Sequence, residues 1–324
     1  MDSIKFAAID LGTVSSRMLC VEMRGGAQVS SQKRTVITDL GEGVDANGVF
    51  APQAIERVVE ACEGFVREAA AFGATHMCTM LTSAARDVTN GEDLLARLRS
   101  QGLDPQVISG DTEARLTFCG VAHDFAGERI AVADSGGGST ELVVGSYVPG
   151  RPLELECARS LNVGCRRVTE RFFSTQPPLP NELDEASEWA HAQFEECWSG
   201  VHAHPDRLVA VGGTVTSLVA MVHELRVYDS HFVHLHELTL PQVDACIESM
   251  SQLSADQIAR LPGIQPKRAP VIFAGAVIIR ELMRAGGYDR LTVSENSLLA
   301  GVSSTVWEAV RWGQTAIGWV PALS

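Results

Sequence analysis

Short apolar runs alternate with stretches of helical periodicity from one end of this chain to the other. The first runs, Phe6-Ala7-Ala8-Ile9 and Arg17 to Met23, flank the turn Asp10-Leu11-Gly12-Thr13 and predict a strand pair. Pro52 then opens a segment whose apolar positions, Ile55, Val58, Val59, Cys62, Phe65, Val66 and Ala69, share one face of a helix ending near Gly73. Strand-length runs at His76 to Thr79 and Gln106 to Ile108 alternate with helical patterns at Glu92 to Arg99 and Thr112 to Val121. That alternation is the signature of an α/β sheet.

A second cycle begins at Arg129 to Asp134, passes through Ser135-Gly136-Gly137-Gly138-Ser139-Thr140 and leaves along Glu141 to Gly145. Its plan repeats the first: an apolar strand ends in Asp, a glycine-containing turn with hydroxyls follows, and a second strand departs. Two homologous half-structures account for the repeat. With the break near His123, residues 1–122 and the C-terminal segment 303–324 form one expected domain and residues 123–302 the other. Asn181 to Val201 reads as a helix with Trp189, Phe194, Cys197 and Trp198 on its core face. Leu208 to Val211 reads as a buried strand running into Gly212-Gly213-Thr214. Arg268 to Ala285 is apolar almost all round, as a core helix is, and the last helix, Ser297 to Trp312, is expected to cross back to the first domain.

Charge narrows the partners. Among 324 residues, 26 Lys and Arg face 40 Asp and Glu, a formal net charge of −14, which opposes bulk attraction to nucleic acid or anionic membrane. The longest uncharged apolar stretch, Leu208 to Val222, contains Gly212-Gly213 and is too short to span a bilayer. Eight cysteines are scattered singly without a CxxC pair, and no signal-like apolar core follows Met1, so the expected location is a reducing cytoplasm. A homodimer is compatible with this reading.

Candidate chemistry gathers in three glycine-rich loops that follow strands: Asp10 to Ser16, Asp134 to Glu141 and Gly212 to Ser217. Such loops bring backbone N–H groups close to phosphate oxygens without an intervening Cβ. Asp10 and Asp134 end their strands in matching positions. They either hold a hydrated Mg²⁺, a hard cation that prefers carboxylate and phosphate oxygen, or cap their own turns. Lys33-Arg34, Arg166-Arg167 and Lys267-Arg268 either line the path of a long anion or are solvated faces. His231, His234 and His236 fall on an alternating stretch that reads as a strand, which sends His234 and His236 to one side and His231 to the other; the cluster is taken as structural. Cys165 lies beside Arg166 and Arg167, which favour a thiolate, but has no histidine partner nearby in sequence.

Four segments, Asp10-Leu11-Gly12-Thr13, Thr82 to Asp87, Ile108 to Leu116 and Asp134 to Leu142, resemble in order and spacing the signature segments of the exopolyphosphatase and guanosine pentaphosphate phosphohydrolase family. Ser160 to Phe172, Val211 to Ser217, Leu261 to Gly263 with Arg268 to Ile279, and Leu291 to Gly301 resemble the same family. The resemblance implies an α/β fold of two ribonuclease-H-like domains, in the actin, sugar-kinase and heat-shock-ATPase superfamily, with the active site in an interdomain cleft. It further implies a water attacking the terminal phosphoryl group of inorganic polyphosphate or guanosine pentaphosphate, with Mg²⁺. Glu113 matches the general base and Arg86 a phosphate-binding arginine. Asp134 and Glu141 match acids that handle Mg²⁺ and the attacking water, with Asp10 as a further metal ligand. Gly136, Gly137, Gly138, Ser139 and Thr140 match a phosphate loop, paired with Gly12, Thr13 and Ser15 and joined by Gly213 and Thr214. The chain departs from the family pattern at Val14, Thr112 and Ser135.

Residue chemistry agrees with those roles. Phosphoryl transfer asks for charge neutralisation and in-line placement, which a metal, an arginine and converging amides supply, and a carboxylate near the water completes the set. Taken without the resemblance, Glu113 also fits a helix N-terminus and Arg86 a surface ion pair. Two other functions keep the same loops: an ATP-dependent small-molecule kinase of the same superfamily, which would transfer phosphate to an acceptor, and a non-catalytic sensor of guanosine tetra- or pentaphosphate, which would bind without turnover.

Overall fold

The structure is a computed structural model that describes residues 3–148 and 151–324. The chain divides into two compact units, Met1–Gly120 together with Leu298–Ser324, and Val121–Ser297. The division falls a few residues before each of the expected breaks, so the whole helix Leu298–Trp312 belongs to the first unit.

The first unit is built on β1 (Ser3–Leu11), β2 (Ser15–Arg24), β3 (Ala27–Ile37), β4 (His76–Leu81) and β5 (Pro105–Val107), in the spatial order β3-β2-β1-β4-β5. β1 to β3 are antiparallel neighbours, whereas β4 runs parallel to β1 and β5 parallel to β4. β1 is buried without interruption from Phe6 to Leu11, as an inner strand covered on both faces must be. Helix Pro52–Phe72 covers one face with Ile55, Val58, Cys62, Phe65 and Ala69. Proline in its first turn and left-handed Gly73 at its end set its limits. Helix Leu298–Trp312 crosses helix Gly110–Ala122 where Gly301 has no side chain: a Cβ there would stand 1.8 Å from the Leu116 carbonyl oxygen.

The second unit carries β6 (Arg129–Ser135), β7 (Thr140–Ser146), β8 (Glu154–Leu161), β9 (Arg207–Val211), β10 (His236–Thr239) and β11 (Arg290–Ser294), in the order β10-β11-β9-β6-β7-β8. Apart from the extra edge strand β10, the series β8-β7-β6-β9-β11 repeats the first unit strand for strand, with the same directions. Helix Ala269–Gly286 is buried on nearly every side, from Ala269 to Gly286, as its composition predicts.

Two sequence readings change, and the reading of Cys165 as no nucleophile stands. Trp189 is half-buried, not core: it packs on Phe172, ring centroids 5.3 Å apart, under the Arg171 guanidinium. The 231–236 stretch is not a strand. Ser230–Val233 forms one helical turn capped by Asp229, Leu235 adopts a positive φ of 62°, and pairing begins only at His236. The alternation is therefore broken. His234 turns to Asp124 and the Glu295 amide, while His236 turns to His223 with their Nε2 atoms 2.9 Å apart. Cys165 is buried, and desolvation raises its thiol pKa against the opposing pull of Arg268 and Arg166, so it is not an activated thiolate.

Candidate active site

In the first unit the candidate residues collect at the carboxyl ends of the parallel strands, the edge at which open α/β sheets bind ligands. β1 and β4 end side by side, Leu11 against Leu81, and Ile108 bonds the Leu81 carbonyl, so the chain beyond each strand starts from one line. Asp10 is 1 % exposed. Its Oδ2 accepts two bonds from Arg17, at 2.9 Å from Nε and 2.6 Å from a terminal nitrogen, while its buried Oδ1 has no hydrogen-bond partner. The loop then closes with Gly12 N–H donating to the Ser15 carbonyl at 3.1 Å, and the Thr13 and Val14 carbonyls are anchored by Gly41, Thr38 and Asp39 amides. Val14 is buried, and Thr13 packs so tightly on Gly41 that a Cβ there would lie 2.2 Å from its methyl group.

Arg86 ends a single helical turn, Ser83–Arg86, after β4, and Glu113 lies in the first turn of helix Gly110–Ala122. The two meet. One Arg86 terminal nitrogen donates to Glu113 Oε2 at 2.8 Å and to the Ile108 carbonyl at 3.1 Å. Glu113 is 7 % exposed, so this contact is a largely sheltered ion pair and not the exposed one that the sequence alone permits.

The second unit repeats the loop and changes the charges. Gly136 N–H donates to the Ser139 carbonyl at 2.9 Å, the counterpart of Gly12 and Ser15. The Gly136 carbonyl accepts from Cys165 N–H, the Gly137 carbonyl from Arg166 and Arg167 N–H, and the Gly138 carbonyl from the Arg167 side chain. In a trans peptide the C=O and the following N–H point in opposite directions. With these carbonyls turned onto the start of helix Cys165–Phe172, the amides of Gly137, Gly138 and Ser139 face the other way, which is the arrangement of an anion-binding nest. Gly164 presses on this loop so closely that a Cβ would lie 2.3 Å from the Gly137 oxygen.

Glu141 lies directly across the β6–β7 ladder from Asp134, and both are buried. Glu141 Oε1 accepts from Ser139 Oγ at 2.9 Å and from Ser160 Oγ at 2.7 Å. Thr140 donates to the Val163 carbonyl and thus serves the loop's framework. Gly212, at a φ of 99°, brings the third loop onto the second: a Cβ on it would be 3.1 Å from Asp134 Oδ1. Gly213 lies under the Arg268 guanidinium, 2.0 Å from where its Cβ would be, and Thr214 is buried behind it. Asp134, Glu141, Gly136 to Thr140, Gly213 and Thr214 are thus neighbours within one unit; Asp10, Gly12, Thr13, Ser15, Arg86 and Glu113 are grouped along one sheet edge of the other.

Arg17 and Ser160 complete these groups without standing out as site residues in the sequence, and Arg268 joins them from one of the basic pairs that the sequence offers to an anion. Arg17 is within reach of the sequence, because the two hairpins align it with Glu141; Ser160 lacks such a local signal. Among the described residues no group of three or more His, Cys, Asp or Glu side chains has metal-holding geometry, and no helix is long and apolar enough to cross a membrane. A cavity of about 560 Å³ opens at the opposite, amino-terminal end of β6, β9 and β11. Its arginines, Arg129, Arg207 and Arg290, are matched by Glu156, Glu128 and Glu237, so it presents no excess charge to an anion.

The model of the Ppx/GppA phosphatase family matches residues 21–306. The chain belongs to the Ppx/GppA phosphatase family. Exopolyphosphatase 2 of Mycobacterium tuberculosis is 33 % identical over 316 residues, covering 92 % of this chain and 97 % of that protein. Exopolyphosphatase 1 of Mycobacterium bovis is 30 % identical over 307 residues, covering 92 % and 87 %. The crystal structure of the Aquifex aeolicus Ppx/GppA family member superposes with a TM-score of 0.79 at 27 % identity, covering 96 % of this chain and 99 % of that one. The repeated sheet is accordingly the ribonuclease-H-like core of the actin, sugar-kinase and heat-shock-ATPase fold, as this Ppx/GppA chain's sequence predicts.

Proposed function

We propose that the chain is an exopolyphosphatase that releases terminal orthophosphate from inorganic polyphosphate, with guanosine pentaphosphate as a further substrate, in a reducing cytoplasm suited to its eight free thiols. The observation that carries this reading is the loop Gly136 to Ser139, whose carbonyls are spent on a helix N-terminus while its amides face away, in a chain related along most of its length to exopolyphosphatases. Amides so held bind phosphate oxygens without reorganising as charge develops.

In this reading Glu113 accepts a proton from a water as its oxygen bonds the terminal phosphorus. The bridging P–O bond breaks, and the shortened chain leaves with the bridging oxygen. Arg86 orients Glu113 and offers its remaining donors to the phosphoryl oxygens. The Gly12 to Ser15 and Gly136 to Thr140 loops, with Gly213 and Thr214, hold phosphate groups. Asp10, Asp134 and Glu141 are the residues that would hold Mg²⁺. The buried Asp10 oxygen without a hydrogen bond and the like charges of Asp134 and Glu141 across one ladder both suit a cation. One or two carboxylates with phosphate and water form an ordinary Mg²⁺ shell. Once bound, Mg²⁺ neutralises phosphate charge.

Phosphate release measured side by side from polyphosphate, guanosine pentaphosphate and ATP, with and without Mg²⁺, tests the proposal. Metal-dependent release from polyphosphate is the expected result. Phosphate transfer from ATP to an acceptor, or tight guanosine pentaphosphate binding without turnover, would replace it.

A further inference from the structure

Glu141 is flanked in its sheet by unlike neighbours. On β6 stands Asp134, a like charge directly opposite; on β8 stands Ser160, directly opposite on the other side. The terminal torsion of a glutamate is broad, so a buried carboxylate takes a single plane only where donors impose it. Ser160 and Ser139 both donate to the same oxygen, Oε1. They are not equivalent supports: Ser139 belongs to the glycine loop, whereas Ser160 lies within a strand whose backbone is paired to β7. A hydroxyl also orients the carboxylate without cancelling its charge, unlike the guanidinium that holds Asp10 in the first unit.

We propose that Ser160 is a positioning residue: from β8 it fixes the carboxylate plane of Glu141 and so sets how that residue meets a divalent cation. The proposal rests on the hydrolase reading above and deepens it. Its test uses the full chain with two readouts, Mn²⁺ titration by calorimetry without substrate, and kcat and KM for orthophosphate release from polyphosphate at saturating Mg²⁺. Ser160→Ala is expected to weaken Mn²⁺ binding and to lower kcat by about tenfold each, the scale for a residue that orients a metal ligand, with KM unchanged within about twofold. Ser160→Thr keeps the hydroxyl and is expected to recover most of both losses. An alanine variant with the parent's kcat, or equal losses in the alanine and threonine variants, overturns the assignment. If the parent releases no orthophosphate from any substrate, the hydrolase reading falls, and the Mn²⁺ titration alone then decides the role of Ser160.

Discussion

The two units share one hairpin and differ at one position in it. At the end of β1, Asp10 faces Arg17 across the ladder; at the end of β6, Asp134 faces Glu141. The turn between them is the same, closed from Gly12 to Ser15 in one unit and from Gly136 to Ser139 in the other. The first unit thus balances its buried aspartate with Arg17, while the second sets two carboxylates across from each other and gives Glu141 the hydroxyls of Ser139 and Ser160. A fold can duplicate its glycine loop and still set opposite charges beside the copies, because the cross-strand partner is a single side chain that the loop geometry does not depend on.

The largest effect is expected at Glu113, which should matter for chemistry and not for either hairpin. Glu113→Gln should lower phosphate release by about 10²- to 10⁴-fold, with a circular-dichroism melt that overlaps the parent. Equal activity would remove Glu113 as the base. Arg17→Met tests the balanced hairpin: it leaves the Asp10 charge buried and alone, and urea denaturation should record a loss of about 3 kcal/mol. Glu141→Gln tests the second hairpin: without metal it removes one of two like charges that face each other across the β6–β7 ladder, and urea denaturation should record a change within about 1 kcal/mol. A loss as large as that of Arg17→Met would abolish the contrast.

Acid should also separate the units. Eight of the nine histidines lie in the second unit, His76 being the exception. Burial, and then the neighbouring His223, hold the His236 pKa below its usual value. The unfolded chain therefore binds the proton more readily, and this contribution to stability is present above the unfolded pKa of about 6.5 and is lost as pH falls through the folded one. Hydrogen exchange at pH 5.5 against pH 7.5 should show faster opening near β10, with β1 and β4 little changed. The smallest effect is in thiol labelling. Cys62, Cys78 and Cys119 in the first unit are pushed up to about 12 by burial, and Cys157 in the second is the one half-exposed thiol among the eight. Iodoacetamide on the native chain should modify Cys157 first, by peptide mass mapping; early modification of Cys62 or Cys78 would contradict the packing of the first unit.

Legibility followed burial. β1 and β6 are inner strands, and unbroken apolar runs announce them; β3 and β8 are edge strands, break their apolar positions with many polar ones and go unread. The Pro52–Phe72 helix has a proline start, a glycine stop and a clear apolar face, and its limits match the reading. The 231–236 stretch alternates correctly and is still not a strand, because Asp229 caps a helical turn there and Leu235 reverses the chain. The glycine loops were legible as loops, whereas the contact between Arg86 and Glu113, 27 residues apart, was not, since no local period connects them.

By itself, then, the amino-acid order determined the repeat, the class of fold and the residue types at the ends of the strands, because these depend on period, burial and glycine placement over a few neighbouring residues. Tertiary structure alone decided which carboxylate meets which partner beyond its own hairpin: Glu141 with Ser160, Glu113 with Arg86. Those pairings are set by strand register and by the packing of chain segments far apart in sequence, and electrostatic energy depends on the resulting distances, which composition does not contain.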